Sequence, residues 1–129
     1  MQIDNAGLKP IYIQIAEGIE DDIISGRLVE GAPVYSQLAL SRELRVNPAT
    51  AAKGINQLVV KGILERQRGQ SMTVAARSRA RLLKERREDA FELRVRDLLA
   101  EARKIGMSYR DVSKTIKKIA QEDRGHEDE

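Results

Sequence analysis

The stretch of sequence that decides the fold is residues 36–62, SQLALSRELRVNPATAAKGINQLVVKG. Ser36 is a favourable N-cap for a short helix that ends near Leu44. Arg45-Val46 leaves room for nothing but a tight turn. Asn47-Pro48 then starts a second helix, because Asn is a good cap and Pro is preferred at the first helical position. Two helices joined by so short a turn predict a helix-turn-helix.

The second helix of this pair has an apolar side and a polar side. Ala51, Ile55, Leu58 and Val59 form the apolar side, and Gly62 marks the end of the helix. Small and hydrogen-bonding residues on the other side suit a helix that enters the DNA major groove, where amide and amine groups reach base edges. The alternative is an ordinary amphipathic helix with a solvated polar face. The polar side consists of Asn47, Ala49, Thr50, Lys53, Asn56 and Gln57.

The segments on either side complete a winged helix. Upstream, Pro10 opens a helical pattern with apolar residues at three- and four-residue steps, and Gly26 is its expected C-terminal cap. Downstream, Ile63–Gln67 and Met72–Ala75 have the pattern of a two-stranded hairpin. Residues 1–76 are therefore predicted to be a winged helix-turn-helix of the mostly α, α+β class.

The tip of the predicted hairpin is basic. Arg66 and Arg68 are placed to pair with phosphate or to enter a minor groove, and Gly69 permits close backbone approach. The alternative is that these arginines only keep an edge strand soluble.

The charge is distributed unevenly along the chain. The net charge is +3, but the segment from Arg66 to Arg87 holds eight basic residues and one acidic residue, Glu85. A basic block beside a folded domain indicates a polyanionic partner, and nucleic acid is the candidate. The alternative is a solvated helix face that is rich in Arg.

Composition excludes most kinds of chemical site. The chain has no Cys and a single His, His126, so thiolate metal sites and multi-histidine metal sites are excluded and no cofactor is predicted. No residues in the sequence support the interpretation that the protein is an enzyme. No apolar run approaches the ~20 residues that a membrane span needs, and the N-terminus lacks a signal-peptide pattern. Tyr12 and Tyr35 are interpreted as packing residues rather than as the lining of a ligand pocket.

Residues 77–123 are predicted to form a two-helix arm that dimerises the chain, and residues 124–129 a disordered acidic tail. A long helix extends from about Ser78 to Ile105, and Ser108 and Asp111 form a capping box for a shorter helix. The apolar stripes cannot be buried by the small winged domain alone, which is typical of an oligomerisation arm. The stripe residues are Leu83, Phe91, Val95, Leu98, Ala102, Ile105, Val112, Ile116 and Ile119.

Several motifs in one order resemble the GntR family of bacterial transcription regulators. The motifs are Pro10–Ile15, Ile23–Leu28, Leu44–Thr50 and Leu58–Gly69, and the similarity covers about residues 8–76. The short helical remainder is most similar to the YtrA subfamily.

The resemblance implies a dimeric regulator in the bacterial cytoplasm, nucleoid-associated when bound to DNA and usually a repressor. Such a protein binds a near-palindromic operator and responds to a small effector, which the sequence does not identify. Positions that match the family's DNA contacts are Asn47, Ala49, Thr50, Lys53, Arg68 and Gly69.

Two departures from the family pattern affect the expected DNA contacts. Leu38 stands where the family usually has an Arg at the start of its second helix, so that contact is absent or is supplied by a neighbour such as Arg42 or Arg45. Ser36, at the same helix start, is also a predicted DNA contact. The usual Gly-x-Gly-Thr of the wing is replaced at residues 69–72, which predicts a less flexible wing.

The alternative function is a protein–protein interaction module built on a winged-helix scaffold. Salt distinguishes the two functions, because DNA binding would weaken steeply as the salt concentration rises, whereas apolar docking to a protein would not.

Overall fold

The structure is a computed structural model, and it describes residues 1–66 and 71–127. The chain divides into two compact units, Met1–Lys84 and Glu85–Glu129. The elements in chain order are α1 (Ile11–Ser25), α2 (Gln37–Leu44), α3 (Pro48–Val60), β1 (Leu64–Glu65), β2 (Thr73–Val74), α4 (Ser78–Glu85), a π-helical segment (Arg86–Phe91), α5 (Glu92–Lys104) and α6 (Tyr109–Glu127).

The helix-turn-helix forms as the sequence predicts, with both caps in place. Ser36 Oγ accepts a hydrogen bond from the Ala39 amide at 3.0 Å. Asn47 Oδ1 accepts one from the Ala49 amide at 2.8 Å. Arg45 ends α2 in the left-handed conformation, with φ of 55°. This reversal lets α3 begin three residues later, with Pro48 in its first turn.

The predicted hairpin is present, and its strands are shorter than the sequence pattern suggests. β1 pairs antiparallel with β2, with Leu64 opposite Val74. The segment before α2 adds a third edge, because the Gly31 amide donates to the Val74 carbonyl at 2.8 Å and the Val34 amide donates to the Met72 carbonyl at 2.7 Å. Of the predicted tip, Arg68–Ser71, only Ser71 is among the described residues.

The first unit extends beyond the predicted domain boundary at residue 76, because the start of the long helix is part of its core. Leu82 is completely buried, although it does not belong to the apolar stripe that the sequence predicts for this helix. The Ser78 hydroxyl is also buried and donates to the Ile63 carbonyl at 2.9 Å. The division between the two units therefore lies within the helical stretch that follows Ser78, at Lys84.

The second unit contains α5 and α6, which pack on each other. The predicted capping box is present: the Asp111 carboxylate accepts from the Ser108 amide at 2.9 Å, and the Ser108 hydroxyl accepts from the Asp111 amide at 3.2 Å. These hydrogen bonds lower the pKa of Asp111, so the cap weakens as the pH falls through that lowered value. α6 continues to Glu127, into the segment 124–129 for which the sequence predicts a disordered tail.

Gly54 allows α1 and α3 to pack closely in the first unit. A Cβ atom built on Gly54 would lie 2.8 Å from the Tyr12 carbonyl oxygen and 3.0 Å from Cγ2 of Ile15. Ile15 is completely buried and the Tyr12 oxygen belongs to the backbone, so neither atom can move aside easily. The position therefore requires Gly for a close approach, not for an unusual backbone angle.

We expect Gly54→Ala to lower the free energy of unfolding by about 1–3 kcal/mol, because the added methyl group forces the two helices apart. Gly18→Ala in α1 is the matched control. The three atoms nearest to its new Cβ all belong to the flexible Met1 side chain, so the higher helix propensity of Ala should leave the protein equally stable or more stable by about 0.5–1 kcal/mol. Urea denaturation of both variants measures the difference, and equal stabilities would contradict the close-packing argument.

Candidate nucleic-acid interface

The outer side of α3 presents the residues that the sequence predicts for DNA recognition. Asn47, Ala49 and Lys53 are exposed, and Thr50 is half-buried. The helix is held from its inner side, where Ala51, Ile55 and Leu58 are at most 1% exposed. Burial of the inner side thus leaves small and hydrogen-bonding groups on the outer side, as a helix for the major groove requires.

Asn47 has a structural role as well as a predicted recognition role. Its side-chain oxygen is occupied by the cap hydrogen bond to the Ala49 amide. The amide nitrogen of the same side chain remains as a donor at the exposed start of α3. This end of the helix also carries the positive end of the helix dipole, which favours a phosphate.

Lys53 lies over the face of an aromatic ring. Its Nζ is 4.1 Å from the ring centroid of Tyr12, the second residue of α1. This is a cation–π contact between the two helices that Gly54 brings together. The sequence predicts only a packing role for Tyr12, because no spacing rule connects residues 12 and 53.

A hydrogen bond from Tyr35, the residue just before the Ser36 cap, connects the start of α2 to α1. The Tyr35 hydroxyl donates to Asp22 Oδ2 at 3.2 Å, and Arg27 approaches the other oxygen of Asp22 at 3.6 Å. Burial raises the pKa of Tyr35, and the Asp22 carboxylate raises it further, so the phenol stays neutral at physiological pH.

The structure shows how exposed Leu38 is, which stands where the family usually has an Arg, and how exposed the two nearby arginines are. Leu38 is 53% exposed, so it does not belong to the apolar side of α2 together with the buried Leu40. Helix geometry explains this exposure, since side chains two positions apart on a helix do not face each other. Arg42 and Arg45 are exposed, which keeps both available to replace the missing contact.

An open cleft of about 410 Å³ lies beside α3, between the start of α2 and the hairpin. Ser36 and Arg66 both line it, although they are far apart in sequence. A helix start and an arginine that line one cleft are groups of the kind that bind a phosphate. Arg68 and Gly69, the other predicted wing residues, lie outside the described residues. The lining consists of Val34, Tyr35, Ser36, Gln37, Ile55, Arg66, Ser71 and Met72.

Two arginines of the basic block hold the first unit together. Arg79 Nε donates to the Ile24 carbonyl at 2.9 Å. The Arg81 guanidinium donates to the Lys61 carbonyl at 2.7 Å and to the Gly62 carbonyl at 3.1 Å, just after the end of α3. These two arginines therefore donate hydrogen bonds to carbonyl groups near helix ends, where carbonyl groups have no backbone partners within the helix. Their presence in the block is therefore not evidence for a polyanionic partner.

The predicted dimerisation stripe divides into buried and exposed residues. Ala102 and Val112 are 5% and 6% exposed in the single chain. Leu83 is half-buried and belongs to the first unit. The remaining members are 39% to 64% exposed, namely Phe91, Val95, Leu98, Ile105, Ile116 and Ile119.

The described residues contain no arrangement of side chains for metal binding. Across residues 1–66 and 71–127, no group of three or more His, Cys, Asp or Glu side chains is placed to hold a metal ion. Within the same part of the chain, no helix is both long and apolar enough to cross a membrane.

Known proteins share this architecture. The profile of the family described as "Bacterial regulatory proteins, gntR family" matches residues 11–74. The HTH-type transcriptional repressor YtrA of Bacillus subtilis is 25% identical over 125 residues, which cover 97% of this chain and 95% of YtrA. The mannosyl-D-glycerate transport/metabolism system repressor MngR of Escherichia coli is 38% identical over 63 residues, which cover 49% of this chain and 26% of MngR.

A solved structure of a GntR family transcriptional regulator from Listeria monocytogenes superimposes with a TM-score of 0.72. It is 25% identical in sequence, and the match covers 90% of this chain and 98% of that one. The similarity to YtrA and to the Listeria protein extends through both units. These relatives are transcription regulators and not enzymes.

We expect Asn47→Ala to lower the free energy of unfolding by about 0.5–2 kcal/mol, because the Ala49 amide loses its cap. Asn47→Ser is the matched control, since Ser caps a helix about as well as Asn does. Urea denaturation followed by circular dichroism measures both variants. Equal losses for the Ala and Ser variants would show that the cap does not stabilise α3.

Proposed function

We infer that this chain, a DNA-binding transcription regulator that belongs to the GntR family, is a dimeric repressor that binds a near-palindromic operator in the bacterial cytoplasm. The observation that carries the proposal is the outer side of α3, where Asn47, Ala49 and Lys53 are exposed on a helix that packs its opposite side into the core. The names of YtrA and MngR, both repressors, support repression as the outcome of binding.

The proposed mechanism needs no chemical reaction. Lys and Arg side chains neutralise phosphates and release counterions, which supplies a large share of the affinity. Asn47, Thr50 and Lys53 read base edges in one half-site. The DNA phosphate backbone nearby is contacted by three exposed arginines, Arg42, Arg45 and Arg66. Bound protein then blocks the promoter, and a small effector releases it by favouring a conformation with lower operator affinity.

The dimer part of the proposal rests on the exposed apolar stripe that runs along α5 and includes the residue on either side of it. Phe91, Val95, Leu98 and Ile105 fall on one side of the helical path and are 39% to 64% exposed in the single chain. Such an apolar surface is stabilised when a second copy covers it, and a two-fold dimer suits a two-fold operator.

The operator can be obtained by selection of bound duplexes from a random pool, with the full-length protein as bait. Recovery of a two-fold related motif is the expected result. The salt dependence of binding to the recovered duplex then distinguishes DNA recognition from apolar docking to a protein, because only the former weakens steeply with ionic strength. Failure to enrich any motif would contradict the proposed function.

Lys53→Ala should weaken binding to the selected duplex by about 1–3 kcal/mol if the amine reads a base, with relaxed preference at one position per half-site. Lys118→Ala is the control, because it removes the same charge from an exposed position on α6. Gel-shift titration of both variants on the selected duplex measures the difference. Wild-type affinity in Lys53→Ala would remove this residue from the interface.

Leu98→Asp should dissociate the dimer, because an unpaired charge buried between the two apolar stripes costs several kcal/mol. The matched control is Leu93→Asp, which makes the same change on the opposite side of α5 at a position that is 59% exposed. Sedimentation equilibrium at micromolar concentration reports the association state of each variant. A monomeric wild type, or a Leu98→Asp variant that dimerises like Leu93→Asp, would refute the proposal that the apolar stripe forms a dimer interface.

A further inference from the structure

We propose that Tyr12 is a positioning residue for DNA recognition: its ring holds the Lys53 ammonium group at the outer side of α3 in readiness for the operator. The inference deepens the proposed function and rests on it. Tyr12 lies in α1, outside the helix-turn-helix, and it acts through Lys53. The contact joins residues 12 and 53, with 4.1 Å between Nζ and the ring centroid.

The position of the ring is determined by the packing of the two helices. The Tyr12 carbonyl oxygen would lie 2.8 Å from a Cβ atom on Gly54, the residue after Lys53. The backbones therefore touch at this point, and a lysine next to the contact reaches the ring of a residue on the other helix. Tyr12 is half-buried, so the neighbouring protein limits its movement, whereas Lys53 is exposed and accessible to DNA.

An aromatic ring holds a cation differently from a carboxylate. A carboxylate would orient Lys53 and also cancel its charge, which would oppose DNA binding. The Tyr12 ring attracts the ammonium group through its quadrupole and carries no net charge, so the positive charge remains available. Among the described residues, no carboxylate forms an ion pair with Lys53.

Restraint of this side chain before binding should increase affinity. Lysine has a long flexible side chain and loses much rotamer freedom when it is immobilised at an interface. A contact that already limits these rotamers in the free protein reduces that loss on binding. The expected gain is that of an exposed cation–π contact, about two- to five-fold in affinity at each half-site.

The test is a double-mutant cycle on the full-length protein, with the duplex selected from the random pool and a random-sequence duplex of the same length as probes. The variants are Tyr12→Leu, Lys53→Ala and the two combined, with Tyr12→Phe as the conservative replacement. We expect Tyr12→Leu to weaken binding to the selected duplex about two- to five-fold per half-site, and to have little further effect once Lys53 is Ala. Tyr12→Phe should bind like the wild type, because Phe retains the ring face.

Each contrary outcome has a definite meaning. An equal loss from Tyr12→Leu with and without Lys53 would overturn the inference and leave the proposed function intact, because Tyr12 would then act only through packing. A loss in Tyr12→Phe equal to that in Tyr12→Leu would also overturn it, since the hydroxyl group and not the ring would be responsible. A wild type that enriches no duplex would contradict the proposed function itself, and this inference with it.

A structural effect of the substitution can be separated from the positioning effect. Thermal unfolding of each variant shows whether the first unit is folded at the assay temperature. If Tyr12→Leu is unfolded there, Tyr12→Met takes its place, because the unbranched side chain fills irregular space while removing the ring face. The same coupling to Lys53 is expected from that variant, and its absence would overturn the inference.

Discussion

The close packing of α1 against α3 at Gly54 is the constraint on which the rest of the structure depends. A Cβ atom at this position would lie 2.8 Å from the Tyr12 carbonyl oxygen, so any larger residue forces the helices apart. The approach buries Ile15 and Ile55 almost completely and turns the polar side of α3 outward. It also brings Lys53 to the ring of Tyr12. The absence of a side chain at Gly54 thus connects the stability of the winged unit with the geometry of α3, its proposed recognition helix.

The end of α3 is held by the helix that leads out of the winged unit. Arg81 binds the carbonyl groups of Lys61 and Gly62, and Ser78 binds that of Ile63, while Leu82 fills the core beneath them. Each of these contacts satisfies a backbone group or buries apolar surface that the helix-turn-helix would otherwise leave open. A boundary placed at residue 76 would remove all of them, so the winged unit requires residues up to about Lys84.

Positive charge in this protein has two separate uses that composition does not distinguish. Arg79 and Arg81 are directed to backbone carbonyl groups and stabilise the fold. Arg42 and Arg45 are exposed, and Lys53 is held by a ring that leaves its charge intact. The block of basic residues after the hairpin is therefore partly structural. The exposed cations of the helix-turn-helix are the stronger indication of a nucleic-acid partner.

The sequence by itself determined the local structure, because caps, turn residues and apolar periodicity act over a few positions. Ser36, Asn47 and Ser108 cap the helices as expected, since each bonds an amide within three residues of itself. Tertiary structure alone decided which residues meet across the fold. No spacing rule connects Tyr12 with Lys53, or marks Gly54 as a close approach rather than a weak point in a helix, because these properties depend on how the helices pack.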